Sequence, residues 1–303
     1  MGKLGLCTVA LLAGALISGP DRAQAFCRES LASQSQGPCK DDPDALPLFW
    51  DRGCMTYVFN AQTWKLIPMG ESFVRQTFKA SYQSWAETAC TGAGSTPFLV
   101  TQASGTTQTS RSEFLYDVPN ESIVVVRTLA EWMNLPDHDS HALALTLIWH
   151  DKKTGEILDV DMELNGGAGT FSDCDKTKCT GAQIDLQNTV THEAGHLLGL
   201  GHSTSSGSTM QASTTSGPEI SKRSLETDDK NGYCALELPK GPCSVSNASC
   251  VCTDTRVFPS HRSSSGCDCS LSRSAPSHSP FAGAAAGALL LGWALQRRKR
   301  SRR

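Results

Sequence analysis

Residues 192–202 read His192-Glu193-Ala194-Gly195-His196-Leu197-Leu198-Gly199-Leu200-Gly201-His202, three imidazoles and one carboxylate in a single short stretch. Helical residues four apart share a face, so His192 and His196 can offer two ring nitrogens to one ion from successive turns. Zinc sites that do chemistry take three protein ligands and leave the fourth tetrahedral position to water, so a third donor has to come from beyond the helix. Gly199 and Gly201 supply the expected exit, because glycine reaches positive φ without steric cost and lets the chain bring His202 back under the metal. Glu193 follows the first ligand by one residue. That offset turns it off the metal-facing line and toward the water, as a general base and not a ligand. The chemistry such a set performs is metal-assisted hydrolysis.

The elements that must position these groups follow from hydrophobic period. Ile184, Leu186 and Val190 lead into the motif with helical spacing, and Leu197, Leu198 and Leu200 follow. Upstream, Ser72 to Ala89 reads as a long amphipathic helix with Phe73, Phe78, Tyr82 and Trp85 on its core face. Cys54 to Asn60, Phe98 to Thr101 and the valine run Ile123 to Arg127 read as strands. Ala142 to Trp149 and Ile157 to Leu164 form a predicted hairpin whose turn is Asp151-Lys152-Lys153-Thr154-Gly155. Asp159, Asp161 and Glu163 alternate along its second strand and share one face. The simplest expectation is a solvated face; the sharper one is a calcium site completed by Asn165.

The motif resembles the signature of the metzincin clan of zinc endopeptidases, His-Glu-x-x-His-x-x-Gly-x-x-His followed by a methionine-containing turn. Ser208-Thr209-Met210 fits that turn, and Ser203 with the spacing from His202 to Met210 is most similar to the matrixin branch. Leu225 to Tyr233 is similar to the start of that branch's C-terminal helix. The resemblance covers about residues 45–238 and is specific from about residue 183 onward. It implies an α+β fold of the metzincin-type zincin kind, with a twisted mixed sheet, a long N-terminal-side helix, an active-site helix and a small C-terminal subdomain. It further implies one catalytic Zn2+ on His192, His196 and His202, Glu193 as the catalytic base, and Met210 as a structural floor under the imidazoles. A protein or peptide substrate would lie extended along an edge strand at about residues 142–149. The branch often blocks its zinc with a cysteine in a Pro-Arg-Cys-Gly segment. No such string occurs here, and Cys27 or Cys39 would have to serve instead.

The chain ends bear on where this happens. Residues 1–25 carry a short basic start, an apolar core from Leu4 to Ile17 and Ala23-Gln24-Ala25, the pattern of a signal peptide cut before Phe26. Residues 26–44 read as an extended arm, 45–238 as the catalytic domain, and 239–280, rich in Ser, Pro and Cys, as a stalk. Phe281 to Leu295 is apolar and is followed by an arginine-rich end. Fifteen helical residues reach only about 22 Å against a bilayer core of about 30 Å, which suits a transient tag better than a permanent span. With Cys267 and Cys269 ahead of it, this segment resembles the C-terminal sorting tag of myxobacterial surface proteins. That resemblance implies export, membrane contact before processing, and display at the surface or release.

Without the two terminal segments, 19 basic and 29 acidic residues remain. So negative a body argues against nucleic acid as a partner. Ten cysteines in an exported domain read as disulfides, with Cys174–Cys179 the one pairing their spacing suggests; a zinc module from Cys243, Cys250 and Cys252 lacks paired Cys-x-x-Cys clamps. Two other functions use the same residues: a surface binding module that holds metal but has lost catalysis, and a zinc amidase acting on a non-protein amide.

Overall fold

The computed structural model describes residues 25–32, 45–90, 97–212, 218–236 and 238. The leader apart from Ala25, the 239–280 segment, the 281–303 tail, Cys39 and the cysteines from Cys243 onward lie outside these residues. In chain order the elements are β1 (Cys27–Arg28), β2 (Cys54–Asn60), α1 (Thr63–Leu66), α2 (Glu71–Ala86), β3 (Leu99–Thr107), β4 (Ser122–Arg127), α3 (Leu129–Asn134), β5 (Ala144–His150), β6 (Ile157–Asn165), β7 (Thr170–Ser172), α4 (Cys174–Thr177), β8 (Gln183–Asp185), α5 (Leu186–Leu198), β9 (Leu200–Gly201) and α6 (Thr227–Ala235). A 3-10 turn at Ser221–Arg223 precedes α6. None of the described helices is long and apolar enough to cross a membrane.

The architecture is α+β. Five strands form one mixed sheet in the order β3-β2-β4-β6-β5. The pairs β2–β3, β2–β4 and β4–β6 are parallel, while β5 runs antiparallel to β6 and lies at the edge, as its hairpin turn requires. One face of the sheet meets α2 and α5. Met55, Tyr57, Phe59, Val124, Val126, Val160, Met162 and Leu164 form the sheet side of this core, and Phe78, Tyr82, Trp85, Val190, Ala194 and Leu197 the helix side. On α2 the buried stripe starts at Val74 and not at the expected Phe73, which is half-buried with the Lys176 ammonium over its ring. Val74, Phe78, Tyr82 and Trp85 keep the spacing of one helix face; Phe73 lies one residue off it.

The opposite face of β6 corrects the sequence expectation. Asp159, Asp161, Glu163 and Asn165 are all buried, so this is no solvated face. Groups from β4, from Ser112, from His138 and from Trp149 of β5 bond to these carboxylates. Ser122 Oγ and the Val160 N–H donate to Asp159 Oδ1. The Ile123 N–H donates to Asp161 Oδ1 at 2.9 Å and the Trp149 indole to Asp161 Oδ2 at 3.2 Å. Burial, reinforced by the neighbouring Asp159, pushes the Asp161 carboxyl well above the ordinary aspartate range. Arg127 grips both oxygens of Glu163, and Ser112 and His138 complete its shell. The acidic groups are thus bound to protein donors, and the one His/Cys/Asp/Glu cluster with metal-ligand spacing among the described residues is the histidine triad.

Every described cysteine is disulfide-bonded. Cys174–Cys179 forms as its spacing suggested, and Cys90–Cys234 ties the segment after α2 to α6 across 144 residues. Cys27 is buried and bonded, which removes it as a thiol that could block a metal. Its strand β1 pairs antiparallel with β9, so part of the expected extended arm is woven into the domain.

Burial works to raise the Glu163 pKa, but the hydrogen bonds from Arg127 and Ser112 and the Arg127 charge outweigh it and the net shift is downward. A carboxyl with a depressed folded pKa adds stability above its unfolded value near 4.3 and loses it as pH falls through the folded value. Glu163→Gln strands a buried guanidinium and is expected to cost about 3–5 kcal/mol at pH 7. Denaturant unfolding should show that gap closing as pH drops below about 4.

Candidate metal centre

The site is assembled on α5, and the residue just ahead of it fixes the helix start. Asp185 caps α5 by accepting from the Asn188 N–H at 2.7 Å. It also accepts from the Cys174 N–H and pairs with Arg223, which reaches on to Asp173 at 2.7 Å. Two indoles then grip the helix backbone from outside. Trp85 Nε1 on α2 donates to the Thr191 carbonyl and Trp50 Nε1 to the Leu197 carbonyl, each at 2.9 Å. Leu197 lies in the last turn, where helix carbonyls lack an intrahelical donor, so the Trp50 bond satisfies an orphan.

Gly199 ends the helix at φ +104°, a left-handed position, and its N–H returns to Gly195 and His196 carbonyls. It makes the turn alone. Gly201, expected to share that role, instead belongs to β9 and pairs with Cys27. The β1 strand thereby holds the segment that delivers His202, and the Glu29 N–H donates to the Gly199 carbonyl at 2.8 Å.

The three imidazoles converge. His196 Nε2 lies 3.2 Å from both His192 Nε2 and His202 Nε2. His192 Nδ1 is 2.6 Å from the Thr209 carbonyl and His196 Nδ1 is 2.8 Å from the Leu200 carbonyl. A carbonyl accepts only, so these two Nδ1 atoms carry the protons and the Nε2 lone pairs face each other. Burial and the neighbouring positive groups push His192 well below the ordinary imidazole value and His196 down to about 3; burial lowers His202 as well. Neutral rings with lone pairs gathered at one point repel unless a cation sits between them. Ligands at a Zn–N distance of 2.0–2.1 Å on a tetrahedron stand about 3.3–3.4 Å apart, so the observed spacing fits zinc.

The floor of the site is built by a residue of α6. Asp229 is buried; it accepts from the Thr209 N–H at 2.8 Å, the Met210 N–H at 3.0 Å and Ser208 Oγ at 2.5 Å. The turn so held presents the Thr209 carbonyl to His192. Met210 is buried and lies against α5 at Gly195. A Cβ on Gly195 would fall well inside contact distance of the Met210 sulfur and 2.9 Å from Trp85 Cζ2. The motif has no demand for glycine at that position; the packing has. An unexplained glycine inside a helix, which costs about 1 kcal/mol against alanine, was the only sequence sign of it.

Glu193 stands beside the triad with its side chain buried. Burial raises its carboxyl to about 7, against the opposing effects of a Thr146 hydrogen bond and the Lys222 charge. Lys222 is itself buried and donates from Nζ to the carbonyl of Gln211, the residue after Met210. Neither Thr146 nor Lys222 has a sequence signature, because each reaches the site from a separate element.

Residues 130–236 match the matrixin family model. The match spans β5, α5, Met210 and all of α6, and it supports a matrixin-like metalloprotease at the level of the family. No curated protein matches the chain.

Gly195→Ala is expected to displace Met210 and lower stability by about 1–3 kcal/mol, the usual cost of overpacking. Combining it with Met210→Ala should cost less than the sum of the two single changes, as thermal unfolding of all four proteins would show.

Proposed function

We propose that this chain is an exported zinc-dependent endopeptidase that hydrolyses peptide bonds of protein substrates. The observation that carries the proposal is the meeting of three Nε2 lone pairs, two of them fixed by Nδ1 bonds to carbonyls, beside a buried carboxylate with a raised pKa. His192, His196 and His202 hold the metal. Zinc there supplies Lewis acidity, lowering the pKa of a water toward about 7 and polarising the scissile carbonyl.

The chain's own groups do the rest. Glu193 takes the proton of the attacking water and later passes it to the departing amine, one carboxylate serving as base and then acid. Burial favours the protonated half of that cycle, and the Thr146 bond and the Lys222 charge favour the ionised half. Met210 holds the imidazoles from below. The substrate lies extended along β5, whose edge gives main-chain hydrogen bonds to any peptide sequence.

Export is supported by the leader-like residues 1–25 and by the bonding of every described cysteine, which belongs to an oxidising compartment. The 281–303 tail is proposed as the sorting tag that places the product at the cell surface or outside it. The acidic body leaves protein, and not nucleic acid, as the partner.

Glu193→Gln should retain one zinc per chain by elemental analysis while turnover of a peptide library drops at least about 100-fold. A chelator should abolish the parental activity and added zinc restore it. Cleavage by the Gln variant at the parental rate would remove Glu193 from the reaction.

A further inference from the structure

The edge strand that would carry substrate also holds the base. Thr146 is the third residue of β5, opposite Met162 of β6, so its side chain leaves the sheet on the face toward α5. Its Oγ1 lies 2.6 Å from Glu193 Oε2 and 3.2 Å from the Glu193 carbonyl. Among the described residues this hydroxyl is the one hydrogen-bond donor to the Glu193 carboxylate. A hydroxyl has a single hydrogen, and the shorter contact to the acceptor-only carboxylate takes it.

The surroundings make this contact matter. A glutamate has three side-chain torsions, the last of them broad, so packing alone does not set where its two oxygens point. Tyr82, whose charge would act on Glu193, is buried with a hydroxyl that has no hydrogen-bond partner among the described residues. It therefore does not orient the carboxylate. Thr146 occupies Oε2 and leaves Oε1 without a donor among the described residues, free to meet the water.

We infer that Thr146 is a positioning residue for the base: it fixes which Glu193 oxygen handles the proton and registers that oxygen against the strand on which the peptide lies. The hydroxyl also serves either protonation state. With Glu193 ionised, Oγ1–H donates to Oε2, and a proton taken up on Oε1 leaves that bond in place. Backbone pairing of the substrate with β5 and placement of the base are then set by one rigid element. Reactions of this kind lose about 100-fold for a displacement near 1 Å. The inference rests on the peptidase proposal for its kinetic consequence, and on geometry alone for the placement of the carboxylate.

Thr146→Val keeps the shape and removes the hydroxyl. In crystal structures of the variants, Glu193 should leave its parental position or split between two in Thr146→Val and return to one in Thr146→Ser. An undisturbed Glu193 in the valine variant overturns the inference, whatever the protein cleaves. In zinc-loaded enzyme the valine change should lower kcat about 10- to 100-fold with KM within about threefold and zinc content unchanged, and serine should restore most of the rate. A group acting through Glu193 has nothing left to act through once that residue is Gln. Adding Thr146→Val to Glu193→Gln should therefore change the residual rate little, whereas a full multiplicative loss marks a merely structural role and rejects the assignment. Absence of zinc-dependent cleavage by the parental protein would instead defeat the peptidase proposal, leaving the crystallographic arm to decide the placement.

Discussion

Three neutral imidazoles with their lone pairs turned inward repel one another, and the rest of the domain is arranged to hold them there. Two of the rings cannot rotate away without breaking an Nδ1–H bond to a carbonyl, Thr209 for His192 and Leu200 for His196. Such bonds set both the tautomer and the ring plane, which is the usual work of partners behind a metal ligand. The carbonyls are themselves held. Leu200 belongs to β9, clamped by β1, and Thr209 belongs to a turn fixed by Asp229. The gathering of lone pairs is thus bought by hydrogen bonds that form whether or not an ion is present.

The edge strand and the Glu193 carboxylate meet on the same architecture. The antiparallel β5 is the only strand of the main sheet that runs against its neighbour, and this follows from the short Asp151–Gly155 turn joining it to β6. At the edge, it has a strand neighbour on one side of the sheet only; facing α5, it reaches Glu193 through Thr146. The acidic face of β6 is the cost of that arrangement, because β6 is buried on both sides and its carboxylates must find donors. Arg127, Ser112, Trp149 and the Ile123 amide provide them.

Much of the site was legible before any coordinates. The helical spacing of His192 and His196, the Gly199 exit, the return of His202 and the Cys174–Cys179 loop all depend on residues within about a dozen positions of one another. Helix period and glycine φ operate at that range, so spacing alone carries them. The β5–β6 hairpin was legible for the same reason. The alternation of Asp159, Asp161 and Glu163 was misread as facing water, since period two gives a shared face but not what covers it.

What the amino-acid order determined by itself is the local chemistry: two imidazoles on one helix face, a carboxylate beside them, a glycine stop, and a third imidazole just past it. What only the tertiary structure decided is how those groups are held. Asp229 reaches the Met210 turn from 19 residues away, Thr146 reaches Glu193 from 47, and Trp85 reaches Thr191 from 106. No repeat in the chain encodes such pairs, because they arise when separate elements bury their apolar faces together, and packing then brings side chains from the joined elements within hydrogen-bond reach.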